Sequence, residues 1–365
     1  MLIQKIAVVG TVGLPANYGG FETLVENLVR YHDSITLKDE LTVYCSGKSY
    51  DEKNAKYLTA QLKYIPLQAN GAQSIPYDIL SLLSAVLNRS DVILLLGVSG
   101  ATVLPLIRLL SSARIVTNID GIEWRRQKWK GVAKWFLRLS EKVAVRFSHE
   151  VISDNASIAE YVKDTYGIDS HVIAYGGDHA LAVEAVDVTE YSLPEKYAFS
   201  VCRIEPENNV HMIVAAFAGQ NDVPLVIVGN WNNSEYGREL REQYAYVEHI
   251  HLLDPIYDLG KLKTLRQNAF IYIHGHSAGG TNPSLVEAMH FARPIFAFDC
   301  NFNRSTTEDK ALYFSSADEL EAAIKNQADK IEKVALDMLE IAKRRYTWDT
   351  VAHQYFSLLN GESYS

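Results

Sequence analysis

Residues 6–29 read Ile6-Ala7-Val8-Val9-Gly10-Thr11-Val12-Gly13-Leu14-Pro15-Ala16-Asn17-Tyr18-Gly19-Gly20-Phe21-Glu22-Thr23-Leu24-Val25-Glu26-Asn27-Leu28-Val29. A short apolar run ends in glycines, and a helical pattern follows. Phe21, Leu24, Val25, Leu28 and Val29 recur at i, i+3, i+4, i+7 and i+8, the stripe of a helix with one face in a core. Gly19 and Gly20 stand where that helix begins. Free N–H groups and the helix dipole favour an anion there, and missing Cβ atoms permit close approach. The same glycines also suit a plain chain reversal.

The pattern repeats outward along the chain. Apolar, strand-like runs fall at 6–9, 41–45, 62–65, 92–96, 114–118 and 151–153, then at 197–202, 225–228, 250–253, 270–273, 294–298 and 311–314. Strands alternating with helices predict α/β architecture, with parallel sheets covered on both faces. A chain of 365 residues exceeds what one core spans, so two Rossmann-like domains are expected, at 1–185 and 190–346. Residues 180–190 contain no lysine or arginine and precede Leu193-Pro194, which reads as an acidic linker.

Composition narrows the function. Hydrophobic residues are 48% and charged ones 22%, the balance of a globular protein. With 35 Lys and Arg against 44 Asp and Glu, the net charge of −9 argues against a general nucleic-acid binder. Cys45, Cys202 and Cys300 are widely spaced, form no CxxC pattern and suit a reducing compartment. The longest charge-free stretch, 92–107, contains Gly97, Gly100 and Pro105 and falls short of the roughly 20 apolar residues of a membrane span. The start of the chain lacks a signal-peptide layout, so a cytoplasmic location is expected. A nicotinamide-binding domain is disfavoured. GxGxxG is absent, and the second strand ends Tyr44-Cys45-Ser46-Gly47, without an acidic ribose ligand.

Ligands of open parallel sheets bind beyond the carboxyl ends of the strands. One such loop reads His274-Gly275-His276-Ser277-Ala278-Gly279-Gly280-Thr281-Asn282-Pro283-Ser284-Leu285-Val286-Glu287. Asn282 suits an N-cap and Pro283 the first helical position, which makes a second anion seat. Glu287 lies one turn inside, placed to accept hydrogen bonds from sugar hydroxyls or to act as an ordinary first-turn acid. His274 and His276 share a strand face but lack a third ligand, so they read as pocket-lining or structural and no metal is expected. Arg203, in Arg203-Ile204-Glu205-Pro206-Glu207-Asn208, can clamp a pyrophosphate or pair with Glu205 or Glu207.

Residues 125–146 stand apart. Arg125, Arg126, Lys128, Lys130, Lys134, Arg138, Lys142 and Arg146 face a single acid, Glu141, with Trp129, Trp135, Phe136 and Leu139 interleaved. This reads as an interfacial membrane helix or as a solvated helix packed on the sheet.

Together these loops resemble the retaining glycosyltransferases of family four. Tyr18-Gly19-Gly20-Phe21-Glu22-Thr23, Asn118-Ile119-Asp120-Gly121-Ile122-Glu123-Trp124 and Gly279-Gly280-Thr281-Asn282-Pro283-Ser284 are similar to a bacterial rhamnosyltransferase subgroup. The resemblance implies a GT-B fold, two Rossmann-like domains facing a cleft, with a C-terminal helix at about 347–365 crossing back to the first domain. It implies transfer of L-rhamnose from dTDP-L-rhamnose, with retention, to a lipid-diphosphate-linked saccharide of a capsule or O-antigen. No cofactor or metal is expected, and the enzyme would sit peripherally on the anionic inner face of the plasma membrane. Another donor such as a UDP-hexose, a non-catalytic nucleotide-sugar-binding protein and a sugar-nucleotide epimerase are the alternatives.

The resemblance also assigns residues. Gly19, Gly20, Arg203, Asn208, Gly229, Gly279, Gly280, Thr281, Asn282, Ser284 and Glu287 would contact the donor. Tyr18, Glu22, His274 and His276 would lie on the acceptor side. Asp120, Asp154 and Glu123 lie at strand carboxyl ends. That place, and not the resemblance, makes them the carboxylates for the acceptor hydroxyl, Asp120 first and Asp154 second, each also readable as a loop cap. In the basic, aromatic-rich stretch 125–146, Lys128, Trp129, Lys130, Lys134, Trp135 and Arg138 are the expected membrane contacts by composition. Two positions depart from the family: Gly279 replaces the first of two glutamates eight apart, and Asn208 replaces a lysine.

Overall fold

The computed structural model describes residues 3–16, 19–119, 121–125, 130–220, 222–326 and 330–362. The chain divides into two compact units, residues 1–174 with 348–365 and residues 175–347.

In the first unit the strands are β1 (Lys5–Val9), β2 (Glu40–Ser46), β3 (Lys56–Tyr57), β4 (Ala60–Ile65), β5 (Val92–Leu96), β6 (Arg114–Asn118), β7 (Glu150–Ser153) and β8 (His171–Val172). Their spatial order is β3-β4-β2-β1-β5-β6-β7-β8, parallel except where β3 pairs antiparallel with β4. The helices are α1 (Gly20–Ser34), α2 (Ser74–Leu87), α3 (Leu104–Leu110), α4 (Gly131–Phe147) and α5 (Ala156–Tyr166). Every residue of β5 is buried, as expected of a central strand covered on both faces.

The second unit holds β9 (Ala198–Val201), β10 (Leu225–Val228), β11 (Ile250–Leu253), β12 (Ile271–His274), β13 (Ile295–Phe298) and β14 (Leu312–Phe314), in the order β11-β10-β9-β12-β13-β14. All six pair in parallel. Its helices are α6 (His179–Ala182), α7 (Val210–Ala218), α8 (Glu235–Tyr244), α9 (Leu259–Asn268), α10 (Pro283–Met289), α11 (Asn301–Thr307), α12 (Ala317–Asn326) and α13 (Ile331–Arg345). Phe217, Trp231, Phe296 and Phe314 fill the core between them.

The last helix, α14 (Trp348–Leu359), belongs to the first unit. Asn118 Nδ2 donates to Tyr355 Oη at 2.6 Å, and Arg114 Nη1 to the Leu358 carbonyl at 2.8 Å. The Phe356 ring packs on Tyr31 and His32 of α1.

The acidic stretch is no free linker. The division falls at 174/175, ahead of it. Lys263 Nζ donates to the carbonyls of Leu181 and Val183, Thr264 Oγ1 to that of Val186, and Lys261 pairs with Glu190. The lysines that residues 180–190 lack are supplied by α9. Among the described residues, no helix is long and apolar enough to cross a membrane.

One buried acid strains this scaffold. Asp78 of α2 packs against Gly100, where a Cβ would run into its side chain. Burial pushes the carboxyl up to about 8, against an opposing hydrogen bond from the Gly100 backbone. Its folded pKa therefore lies above the unfolded one, and stability falls as pH rises from about 4 to about 8. Asp78→Asn keeps an acceptor without the charge. Urea denaturation should show the variant gaining on the parent across that window, by on the order of a few kcal/mol at its upper end. Parallel pH profiles for the two proteins would refute the assignment.

Candidate functional site

In the second unit the loops after β9, β10, β12 and β13 are tied to one another by amide side chains. Asn208 is buried, and its Nδ2 donates to the Arg203 carbonyl at 2.7 Å. A carbonyl can only accept, so the amide orientation is fixed and Oδ1 accepts from His276 Nδ1, also at 2.7 Å. Asn209 Nδ2 reaches the Gly275 carbonyl, Asn303 Nδ2 the His276 carbonyl, and Asn230 Oδ1 accepts from the Ile204 N–H. Asn208 is thus a strut between the β9 and β12 loops, with both polar atoms engaged, and not an open donor contact. Gly229 has a packing role, since a Cβ there would meet the Ile204 side chain and the Cys202 carbonyl. Trp231, Asn230, Asp254 and Pro255 line a hollow of about 250 Å³ at the carboxyl ends of β10 and β11.

Arg203 stands at the exposed edge of this web. Its guanidinium makes a loose contact with Glu205, at 3.8 Å. Past β12, Gly279 adopts φ +94°, and a Cβ there would stand in ordinary contact with His276 Nε2, 3.6 Å away. A glutamate in that backbone conformation would be strained, so the departure from the family pattern is built into the chain path. Gly280 follows, Thr281 is buried, and Asn282 caps α10 by accepting from the Ser284 N–H at 3.0 Å and from Ser284 Oγ at 2.8 Å.

Glu287 does not project freely. Arg266 of α9 pairs with its Oε2, and His179 Nε2 lies 3.4 Å from Oε1. Burial raises the carboxyl's pKa, but the Arg266 charge, the His179 hydrogen bond and charge, and His290 outweigh it and hold the group below its ordinary range. Glu287 therefore stays ionised, one oxygen committed to Arg266 and the other beside His179. His274 is not on an acceptor surface. It is buried at the end of β12, its Nε2 has no hydrogen-bond partner among the described residues, and burial and then His276 lower its pKa to about 3. It is a neutral ring at physiological pH. His276 lies half-buried beside it and supports Asn208.

In the first unit Glu22 turns inward. It is buried and accepts from Thr11 Oγ1 at 3.0 Å and from the Val12 N–H at 2.7 Å, so it pins the loop after β1 instead of facing an acceptor. Gly19 takes φ +136°, and a Cβ there would run into the Glu22 carboxylate, so the position calls for glycine. Gly20 is the first residue of α1, and Gly19 gives that helix no side-chain cap. Asp154 is buried just past β7, and Glu123 is half-buried in a short 3-10 turn past β6. The next residue, Trp124, donates Nε1 to the buried Glu141 at 3.3 Å, while Arg125, Lys134 and Arg138 lie over its ring. Tyr18, Asp120, Lys128 and Trp129 lie outside the described residues.

Comparison with known proteins fits this geometry. Residues 184–345 match the glycosyl transferases group 1 family, and residues 3–178 match a domain of unknown function (DUF1972). The group 1 match falls within the second unit, and the match to a curated relative spans under half of this chain. A phosphatidyl-myo-inositol mannosyltransferase of Mycobacterium leprae (strain TN) is 31% identical over 167 residues, covering 41% of this chain and 42% of that protein. Sucrose-phosphate synthase from Thermosynechococcus elongatus superposes with a TM-score of 0.81 at 16% identity, over 98% of both chains. A glycosyltransferase from Rickettsia africae ESF-5 gives 0.75 at 13% identity, again over 98% of both. The α/β fold with two parallel-sheet domains is that of GT-B glycosyltransferases.

Sequence reasoning missed Arg266 and His179. Arg266 shares the buried face of α9 with Leu262 and Leu265, at i, i+3 and i+4, and a lone cation on such a stripe is the signal of a buried partner. His179 gives no comparable signal, because its helix has four residues. Removing one member of a buried ion pair typically costs about 3–5 kcal/mol. Arg266→Met in the second unit should destabilise the fold by that order above the unfolded carboxylate pKa, less as pH falls through the lower folded value. Adding Glu287→Gln should recover part of the loss. Urea titration of both variants reads this, and a neutral Arg266→Met would remove the pair as a structural element.

Proposed function

We propose that the chain is a retaining glycosyltransferase that moves L-rhamnose from dTDP-L-rhamnose to a lipid-diphosphate-linked saccharide of a bacterial surface polysaccharide, at an anionic membrane surface. The observation that carries glycosyl transfer is the group 1 glycosyl transferase match over residues 184–345. The donor sugar rests on the resemblance of Gly279-Gly280-Thr281-Asn282-Pro283 and its companions to the rhamnosyltransferase subgroup. In this reading the transition state resembles an oxocarbenium ion leaving a diphosphate, so electrostatic stabilisation of the leaving group dominates. Arg203, exposed and loosely held, closes on the diphosphate, and the backbone N–H groups of residues 279–282 share its charge. Glu287 receives a ribose hydroxyl on the oxygen beside His179, its other oxygen being held by Arg266. Asp154 and Glu123 are the described carboxylates placed past β7 and β6 as candidates for the acceptor hydroxyl, with Asp120 the further candidate.

The name of the mycobacterial relative supports a second reading, a mannose donor. A panel of dTDP-L-rhamnose, UDP-glucose and GDP-mannose, incubated with a synthetic lipid-diphosphate saccharide, separates them. Rhamnose transfer with the donor's anomeric configuration kept, read by NMR, is the expected outcome. Turnover with another sugar alone would replace the donor. Binding without transfer across the panel would favour a non-catalytic protein, and donor conversion without acceptor an epimerase.

Arg203→Ala should weaken donor binding about 10- to 100-fold, the loss of one or two charged hydrogen bonds. Its urea midpoint should stay put, because the side chain is exposed. Calorimetry showing parental donor affinity would take Arg203 out of the site.

A further inference from the structure

We infer that the outer face of α2, α3 and α4 is the surface by which this protein lies on an anionic lipid bilayer, with the leucines of α3 as its inserted edge. The inference deepens the reading above and rests on it only for the acceptor; the surface stands on its own observations. The crossovers β4-α2-β5-α3-β6-α4-β7 all step the same way along the sheet. With right-handed connections the three helices therefore share one face, α3 packed between α2 and α4.

That layer is apolar on its outer side as well as on its buried one. Of the seventeen large hydrophobic side chains exposed among the described residues, eight lie between residues 80 and 139. On α3, Leu104 and Ile107 face the core while Leu106, Leu109 and Leu110 face out, Leu109 being 81% exposed. Leu87 closes α2 at 83%. On α4, Val132, Trp135 and Leu139 sit at i, i+3 and i+7, opposite the buried Leu137, Ser140 and Ala144, with Val132 80% and Trp135 64% exposed. Single exposed leucines are ordinary on a protein surface, but an apolar face running over three adjacent helices is not.

Charge selects the occupant. Residues 80–146 carry eleven Lys and Arg against four Asp and Glu, in a chain whose net charge is −9. Lys130, Lys134, Lys142 and Arg146 are all exposed on or beside α4, while its single acid, Glu141, is buried under Trp124, Tyr161 and Tyr166. Apolar side chains at the crest with cations around them match the boundary between acyl chains and anionic headgroups. Lys134 and Arg138, read from the sequence as membrane contacts, lie over the Trp124 ring, so the apolar edge is set by Val132, Trp135 and the α3 leucines that sequence alone did not single out.

Vesicle co-sedimentation of the full chain tests this without any sugar nucleotide. Binding is expected to vesicles of phosphatidylcholine with 30% phosphatidylglycerol at low salt. It should fall at least tenfold in 0.5 M salt, and similarly on phosphatidylcholine alone. Leu109→Gln with Leu110→Gln, both at exposed positions, should cut binding about tenfold while far-UV circular dichroism and the urea midpoint stay parental. Equal binding by this variant, or no binding of the parent at low salt, overturns the inference. So does a parental dimer in sedimentation velocity that the variant dissolves, which would make the face a contact between copies. Transfer to a water-soluble acceptor separates the two readings. The variant should retain it while losing transfer to a vesicle-borne acceptor, whereas vesicle binding without lipid-acceptor turnover would sink the acceptor assignment and leave the surface standing.

Discussion

Parallel pairing is the constraint from which the rest follows. A parallel strand needs a crossover, and the crossover helices bury both faces of the sheet. Each turn from strand to helix is then delivered to the same edge. In the second unit that edge gathers Arg203 after β9, Gly229 after β10, His276 and Gly279 after β12, and Asn303 in the helix after β13. Residues a hundred positions apart in sequence become neighbours because their strands are neighbours. The loops need fixed shapes to be useful, and asparagines supply them. Asn208, Asn209, Asn230 and Asn303 each satisfy a backbone group that a loop would otherwise leave bare.

The strands were legible because a buried parallel strand is an unbroken apolar run. All twelve expected runs appear within a residue or two of their predicted limits. The two strands that escaped, β3 and β8, have two residues each and no periodicity to display. Site geometry was less legible, for a physical reason. Sequence marks which residue types stand at a strand's carboxyl end but not which way they turn. Glu22 and His274 have the right address and point inward, one to hold a loop and the other into the core. Arg266 has an unremarkable address, mid-helix, and reaches the most telling carboxylate of the domain. The contact division at 174/175 falls ahead of residues 180–190, which look like a linker in composition. Their lack of cations is complemented by Lys261 and Lys263.

The distribution of charge is as informative as its sum. The acidic total hides a segment that is strongly basic, and folding sorts it further by burying Glu141 and leaving the cations outside. The phenols of Tyr161 and Tyr166 and the indole of Trp124 satisfy that carboxylate without neutralising any lysine. A salt bridge there would have consumed one of the surface cations. Neutral donors leave the outward potential of α4 intact, which suits a surface that meets anions.

The two departures from the family pattern share one cause. A lysine at 208 would have to replace an amide that joins two loops through both of its polar atoms, and a buried ammonium accepts no hydrogen bond from His276. A glutamate at 279 would have to adopt φ +94°. The chain path through Arg203 to Asn208 and His276 to Gly279 is therefore coherent only with the residues it has. It exchanges one charged contact and one carboxylate for a rigid, glycine-opened loop. In the proposed reaction the consequence is a leaving group met mainly by Arg203 and by backbone amides, whose positions are fixed before the donor arrives. Preorganised dipoles of that kind lose no reorganisation energy at the transition state, which is why a site with fewer full charges can still carry the chemistry.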